Sequence, residues 1–261
     1  MDYVKKNPNP NMAIEFNSNL SFPRQVFERF EKSFRKIPEE NYQSTTLYVS
    51  LDCWGDRAEY IRFGMRTSEI ERNIERLLSQ FPKMKLTITS TISVLGIKTF
   101  GTLIDKVGEY KRKWGGDRIS LTAYPLVFPY FQSVAIAPEE MKAELKALEA
   151  KAIGLDYLRL REKEMISTIV TSSQTKLSSD RIETLLIDFY LFFKEYDRRK
   201  KTSLVKTFPE YKELFFNGES LANKERATWL EQVNDEDTQV ATFACENLQR
   251  VCPTDEDYHV A

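Results

Sequence analysis

The sequence predicts an α/β fold, with about four parallel strands joined by helices over residues 1–137 and an all-helical region over 138–261. Three observations predict it. Short runs of alternating apolar and polar residues begin at Met12, Thr46, Lys85 and Arg118, 33 to 39 residues apart. Amphipathic helical stripes fill the gaps, and one strand-plus-helix unit of a closed eight-unit barrel takes about 31 residues. From Pro138 onward the pattern is helical only.

Taken in order, MAIEFNSNL is the first strand-like run. Residues 24–35 follow as a helix with Val26, Phe27, Phe30 and Phe34 on one stripe. TTLYVSLD is the second run. Residues 68–81 open with Ser68 and Glu71 spaced as a capping box and continue with Ile70, Ile74, Leu77, Leu78 and Phe81 at helical spacing. KLTITSTIS is the third run, and residues 97–113 bring Ile97, Phe100, Leu103, Ile104 and Val107 together. RISLTAY is the fourth. Pro125, Pro129 and Pro138 then punctuate the chain, with Pro138 opening the helix EEMKAELKALEAKA and Gly154 breaking it. Helices are expected over 155–171 and 180–198. Two or three shorter ones are expected beyond Pro209, then an acidic tail.

Composition removes several function classes. Lysine and arginine number 38 against 39 acidic residues, a net charge of −1, which argues against a basic nucleic-acid surface as the main feature. The run Arg198-Arg199-Lys200-Lys201 reads as a partner for a helix C-terminus and a solvated face. A hydrophobic share of 41% with 12% aromatics argues against a disordered chain. No apolar run approaches the roughly 18 residues of a membrane helix, and MDYVKKNPNPNM lacks the apolar segment of a secretory signal. Cys53, Cys245 and Cys252 are sparse and never spaced CxxC, which fits a reducing cytoplasm better than a disulfide scaffold. His259, the single histidine, stands near the end of the sequence, so histidine-based catalysis and histidine metal centres are not expected.

Residues two apart in a strand share a face. The first run sets Ile14 and Phe16 against Glu15, Asn17 and Asn19. The second sets Leu47, Val49 and Leu51 against Tyr48, Ser50 and Asp52. The third sets Leu86, Ile88 and Ile92 against Thr87, Thr89 and Thr91, and the fourth Ile119 and Leu121 against Ser120, Thr122 and Tyr124. Each strand thus has an apolar side for helices and a side of hydroxyl, amide or carboxylate groups. In a parallel sheet the polar sides converge, and because buried polar groups need partners, such a surface implies a cavity holding water or a polar ligand. An antiparallel sheet with its polar side in solvent is the other arrangement the alternation permits. The helical crossovers favour the parallel one.

The stretch YVSLDCWGDRAEYIRFGM carries the most chemistry. Ser50 and Asp52 fall at the carboxyl end of a strand, where parallel sheets bind ligands. Gly55 permits a turn, and Arg62 offers a planar fork to a carboxylate. A hydroxyl, a carboxylate and a guanidinium at one strand end suit a nucleoside bearing an amino-acid group. The alternative is that Asp52 caps a turn and Arg62 forms a surface ion pair.

This stretch resembles the radical S-adenosylmethionine (radical SAM) superfamily, especially its twitch-domain-containing members. In them a strand ending Ser-x-Asp is followed by Tyr-Ile-Arg-x-Gly; this chain has Ser50-Leu51-Asp52 and Tyr60-Ile61-Arg62-Phe63-Gly64. FNSNL is similar to the family's preceding strand, KLTITSTIS to its next, and DFYLFFKEYDRRKKTSLVKTFPE to its helical C-terminal part, so the similarity spans residues 2–214. The resemblance implies a partial (βα) barrel, of which this chain holds about four parallel strands. It implies that Ser50 contacts the ribose of S-adenosyl-L-methionine, that Arg62 binds the methionine carboxylate and that Asp52 supports the loop. Asn17, Asn19, Thr89 and Thr91 would line the barrel mouth.

The family's chemistry depends on a [4Fe–4S] cluster held by CxxxCxxC, from which an electron cleaves S-adenosylmethionine to a 5′-deoxyadenosyl radical. Neither that motif nor the family's Gly-Gly-Glu turn occurs in this sequence. The resemblance therefore assigns the chain strands three to six and the C-terminal helices, with residues 2–11 as the end of the preceding helix. Cys53 is a lone thiol beside the candidate site. Cys245 and Cys252, on an expected helix, read as packing residues. A sheet starting at the third strand has an unpaired edge. The expectation is the C-terminal part of a radical SAM enzyme, acting with an N-terminal half or partner that carries CxxxCxxC, or else a truncated remnant. Its substrate would be a peptide or small molecule, its location cytoplasmic, with no membrane or nucleic-acid partner. The alternatives are a non-catalytic module binding S-adenosylmethionine, a nucleotide or a protein, and an unrelated α/β protein whose polar sheet face is solvated.

Overall fold

The computed structural model of the chain describes residues 2–233 and 238–251. Among them are one four-stranded sheet and eleven α-helices. The strands are β1 (Ala13–Ser18), β2 (Ser44–Ser50), β3 (Met84–Ile92) and β4 (Ile119–Pro125). They lie in the order β1-β2-β3-β4 and every pairing is parallel, which resolves the alternation in favour of the parallel sheet.

Neighbouring parallel strands need a crossover, and the amphipathic segments supply it. Helix α1 (Asp2–Lys6) precedes β1, and α2 (Arg24–Phe34) joins β1 to β2. Helices α3 (Asp56–Ile61) and α4 (Thr67–Gln80) lie between β2 and β3, and α5 (Ile97–Trp114) joins β3 to β4. The apolar strand positions Leu47, Val49, Leu86, Ile88, Ile119 and Leu121 are buried. So are Phe27 and Phe34 of α2, Ile70, Ile74 and Leu77 of α4, and Phe100, Leu103 and Val107 of α5. Each such side chain contributes about 1.5–3 kcal/mol by leaving water. Phe34 is the hub of an aromatic cluster, with Phe81 edge-on at 5.0 Å and Tyr42 at 5.9 Å.

Two local expectations fail. Val26 is exposed, because the buried stripe of α2 runs through Phe27 and Phe34 and leaves Val26 on its flank. The Ser68–Glu71 capping box does not form, because α4 starts at Thr67 with Arg66 as its N-cap, which puts Ser68 inside the first turn. Its first free N–H groups find tertiary acceptors instead: Arg66 N–H donates to Ser21 Oγ at 2.8 Å and Thr67 N–H to Glu59 Oε1 at 2.9 Å. Glu71 pairs with Lys106 of α5 at 3.1 Å.

The change from βα to all-helical sequence falls at residue 138, but the compact unit holding the sheet continues to Thr175. It takes in α6 (Glu139–Ile153) and α7 (Leu160–Ser173). Helix α7 closes the outer edge of β4. Leu121 N–H donates to Glu162 Oε1 at 2.8 Å, and Ala123 N–H to Met165 Sδ at 3.4 Å. Sheet edges that present unpaired N–H groups invite foreign pairing, so this is a protected edge. At the foot of β4, the Arg118 guanidinium donates to the carbonyls of Leu78, Phe81 and Met84, binding the end of α4 to the start of β3.

The second compact unit comprises Phe128–Gln132 and the chain from Lys176 onward. It contains α8 (Ser179–Lys200), α9 (Leu204–Thr207), α10 (Lys212–Gln232) and α11 (Thr238–Val251). Ile187, Tyr190, Ala222 and Val251 form a core that Phe215, Trp229 and Leu248 flank. Helix α10, at 21 residues, is longer than expected beyond Pro209. Its glycine explains how it passes α8 so closely: a Cβ on Gly218 would overlap the Leu186 carbonyl. No helix among the described residues is long and apolar enough to cross a membrane. The acidic tail with Cys252 and His259, and the Cys245 side chain, lie outside the described residues.

Candidate functional site

Sheet register arranges the polar strand positions in rows. Asn17 lies beside Tyr48, Tyr48 beside Thr87, and Thr87 beside Ser120. One step toward the carboxyl ends, Ser50 lies beside Thr89 and Thr89 beside Thr122. Thr91 lies beside Tyr124 at the top. The rows are wet at their margins and shielded at the centre. Asn17, Thr91 and Tyr124 are exposed, Tyr48, Ser50, Thr89, Ser120 and Thr122 half-buried, and Thr87 buried.

Beyond β2 the chain builds the rim. Leu51 continues the ladder, its N–H donating to Thr89 O at 3.0 Å, and Ser90 Oγ donates to Leu51 O at 2.5 Å. Asp52 is therefore held against β3, where its Oδ1 accepts the Thr91 N–H at 2.9 Å. Gly55 turns the chain at φ 76°, a left-handed conformation that favours glycine, and α3 follows. Arg62 stands at the end of α3, its N–H bonded to Ala58 O and its carbonyl accepting Met65 N–H. From there its guanidinium reaches back to Asp52 in a fork, Nε to Oδ2 at 2.8 Å and Nη2 to Oδ1 at 3.0 Å.

Asp52 is 6% exposed and the Arg62 side chain 35%. The pair is thus anchored on its acidic end and open on its basic end. Two of the five guanidinium N–H groups are committed to Asp52; the rest are donors of fixed geometry at the rim. Asp52 thus fixes its loop and Arg62 is in an ion pair, as one reading of these residues expects.

Ser50, Asp52, Arg62, Thr89 and Thr91 come together at the carboxyl ends of β2 and β3. Asn17 joins the lower row on the edge strand. Asn19 does not enter the ladder, which ends at Ser18; its Oδ1 accepts the Ser21 N–H at 3.1 Å in a local turn in which Leu20 takes φ 52°. Cys53 is fully buried, and burial pushes its thiol up to about 12, outweighing the Thr99 hydrogen bond that acts the other way. A thiol in that state is a poor nucleophile at neutral pH.

The sequence did not reveal two other polar contacts of the sheet. Tyr48 Oη donates to Glu15 Oε1 at 3.2 Å, and Thr87 and Ser120 share a hydrogen bond at 2.8 Å. Strand alternation places these groups on one face, but only the register makes them neighbours. No three histidine, cysteine, aspartate or glutamate side chains converge as a metal site among the described residues. Cys53 belongs to no such group, so the described residues do not supply the set of thiolates an iron–sulfur cluster needs. Comparisons with protein families, with curated proteins and with solved structures find no match for this chain.

Proposed function

We propose that the chain is the C-terminal part of a radical SAM enzyme, a partial (βα) barrel that contributes the S-adenosylmethionine-binding wall. The observation that carries this reading is the Asp52–Arg62 fork beside Ser50 and Thr89, at the carboxyl ends of parallel strands. Arg62 would hold the methionine carboxylate with the donors Asp52 leaves free, and Ser50 the ribose. Asp52 orients Arg62 and, through Thr91 N–H, locks the loop to β3. Thr89, Thr91 and Asn17 would line the mouth, with Asn19 at its margin. Bound S-adenosylmethionine supplies, in this family, the precursor of a 5′-deoxyadenosyl radical.

The reductive cleavage needs a [4Fe–4S] cluster from a polypeptide carrying CxxxCxxC, and β1, the edge strand of the sheet among the described residues, is where strands of that polypeptide would add. The substrate would be a peptide or a small molecule, and the setting the cytoplasm. Anaerobic reconstitution with such a polypeptide tests the reading. An iron–sulfur absorption band and S-adenosylmethionine cleavage are expected; an intact cluster without cleavage counts against it.

A second reading, a non-catalytic module binding S-adenosylmethionine, a nucleotide or a protein, is favoured by the lack of three converging ligating side chains among the described residues. Calorimetry on the chain alone separates the two: tight, iron-independent binding of S-adenosylmethionine supports the module.

A further inference from the structure

The two middle rows of the polar face have an unusual chemical uniformity. Tyr48, Thr87 and Ser120 form one row, and Ser50, Thr89 and Thr122 the other. Each of these side chains ends in a hydroxyl. Among the described strand residues on this face and its rim, formal charge lies at the two ends. At one end are Glu15 and Lys85, which flank Thr46 in register. At the other the Asp52–Arg62 pair is internally neutralised. Tyr48 is held as a neutral phenol, since burial and its bond to Glu15 push its pKa up. Thr87 and Ser120 use one proton between them, and Ser50, Thr89 and Thr122 have no side-chain partner among the described residues.

We propose that these rows are the floor for a neutral, polyhydroxylated substrate, a sugar or sugar-like polyol, lying across β2, β3 and β4 beside the Asp52–Arg62 pair. The proposal rests on the reading of this face as the ligand-bearing wall. A hydroxyl donates one hydrogen bond and accepts others, so an array of hydroxyls matches a ligand whose own groups do both. A charged group lying on the rows themselves, away from the Arg62 guanidinium at the rim, would lose hydration and meet no opposite charge. Rows about 7 Å apart on strands about 4.8 Å apart have the scale of a single sugar ring. An extended peptide gains less, because the sheet's main chain is already paired within the ladder and offers none of the backbone bonds on which strand addition depends.

Saturation-transfer NMR on the full chain tests this, with glucose, maltose and myo-inositol as neutral probes. S-adenosylmethionine and an acetylated, amidated tetraglycine run in parallel. Transfer to a neutral polyol is expected, with affinity falling roughly two- to tenfold in Thr122→Val. S-adenosylmethionine binding should be unchanged in that variant, since Thr122 is outside the set assigned to it. Arg62→Ala should do the reverse. No transfer to any polyol, or transfer that survives Thr122→Val combined with Ser120→Ala, overturns the proposal whether or not S-adenosylmethionine binds. Tetraglycine binding that disappears in the same variants gives the floor to peptides and overturns it as well. Polyol transfer without S-adenosylmethionine binding keeps the floor and defeats the cofactor reading instead.

Discussion

Lys111 of α5 and Glu162 of α7 form an ion pair with both side chains buried, Nζ to Oε2 at 2.5 Å. Both groups make further hydrogen bonds. Lys111 also donates to Tyr157 O at 2.8 Å, while Glu162 accepts the N–H groups of Arg159 and Leu121, each at 2.8 Å. One carboxylate thereby joins α5, the start of α7 and the edge of β4.

Removing one partner leaves a buried charge without compensation, which costs about 3–5 kcal/mol. Lys111→Met should lower the unfolding free energy by that amount in urea denaturation. Glu162→Gln keeps an acceptor for Leu121 N–H but leaves the ammonium without its counter-ion, and it should be nearly as damaging. The two changes combined should cost less than their sum, because neither then strands a charge.

Asp52 has a structural role in its loop and, on the proposed reading, a second one in orienting Arg62 for the ligand; substitutions separate the two. Asp52→Ala removes the acceptor of Thr91 N–H and frees the Arg62 guanidinium. Because that guanidinium is partly in water, about 1–3 kcal/mol of stability should be lost. Arg62→Lys retains the charge but not the fork, so S-adenosylmethionine affinity should fall at least as far as in Asp52→Asn, which leaves the guanidinium in place. Calorimetry on both variants checks the order. Equal affinity in Arg62→Lys and the parent chain removes Arg62 from the site.

Lys201 follows α8 with φ 54°, in the left-handed region, while its N–H donates to Asp197 O. A Cβ in that conformation costs roughly 1 kcal/mol that glycine avoids. Lys201→Gly should raise the melting temperature by a few degrees, about 2–4 °C for a chain of this size, and leave every ligand affinity unchanged. The turn is otherwise well fixed: Asp197 Oδ1 accepts the Thr202 hydroxyl at 2.7 Å and its Oδ2 the Leu204 N–H at 2.6 Å.

All four strands and the three crossover helices on the sheet were legible because period-two and helical apolar patterns record burial directly. Ser50 and Asp52 were legible as a strand end, and Arg62 as a nearby guanidinium. Their mutual fork was not, because Gly55 and the short α3 lie between them and spacing does not fix where such a turn points. The Lys111–Glu162 pair is 51 residues apart in sequence and has no local signature at all. The misplaced capping box has the same origin: Ser21 and Glu59 satisfy the start of α4 from distant parts of the chain.

Cys53 provides a pH signature of its own. Its thiol is raised by burial from an ordinary value of 9.0 to about 12. Between those two values the unfolded chain has lost a proton that the folded chain retains, so stability falls as pH rises through that interval. Below the lower value both states hold the proton and the contribution is flat. The slope from this group reaches at most about 1.4 kcal/mol per pH unit. Cys53→Ala removes it, so the stability lost between pH 8.5 and pH 10.5 should be smaller in the variant than in the parent, measured as a difference to cancel the tyrosines that titrate in the same range. Iodoacetamide at pH 8 should leave Cys53 unmodified in the folded chain and alkylate it in urea, as peptide mapping by mass spectrometry reads out. Rapid alkylation of the folded chain would mean that the loop between Asp52 and Gly55 opens readily, and with it the clamp that positions Arg62.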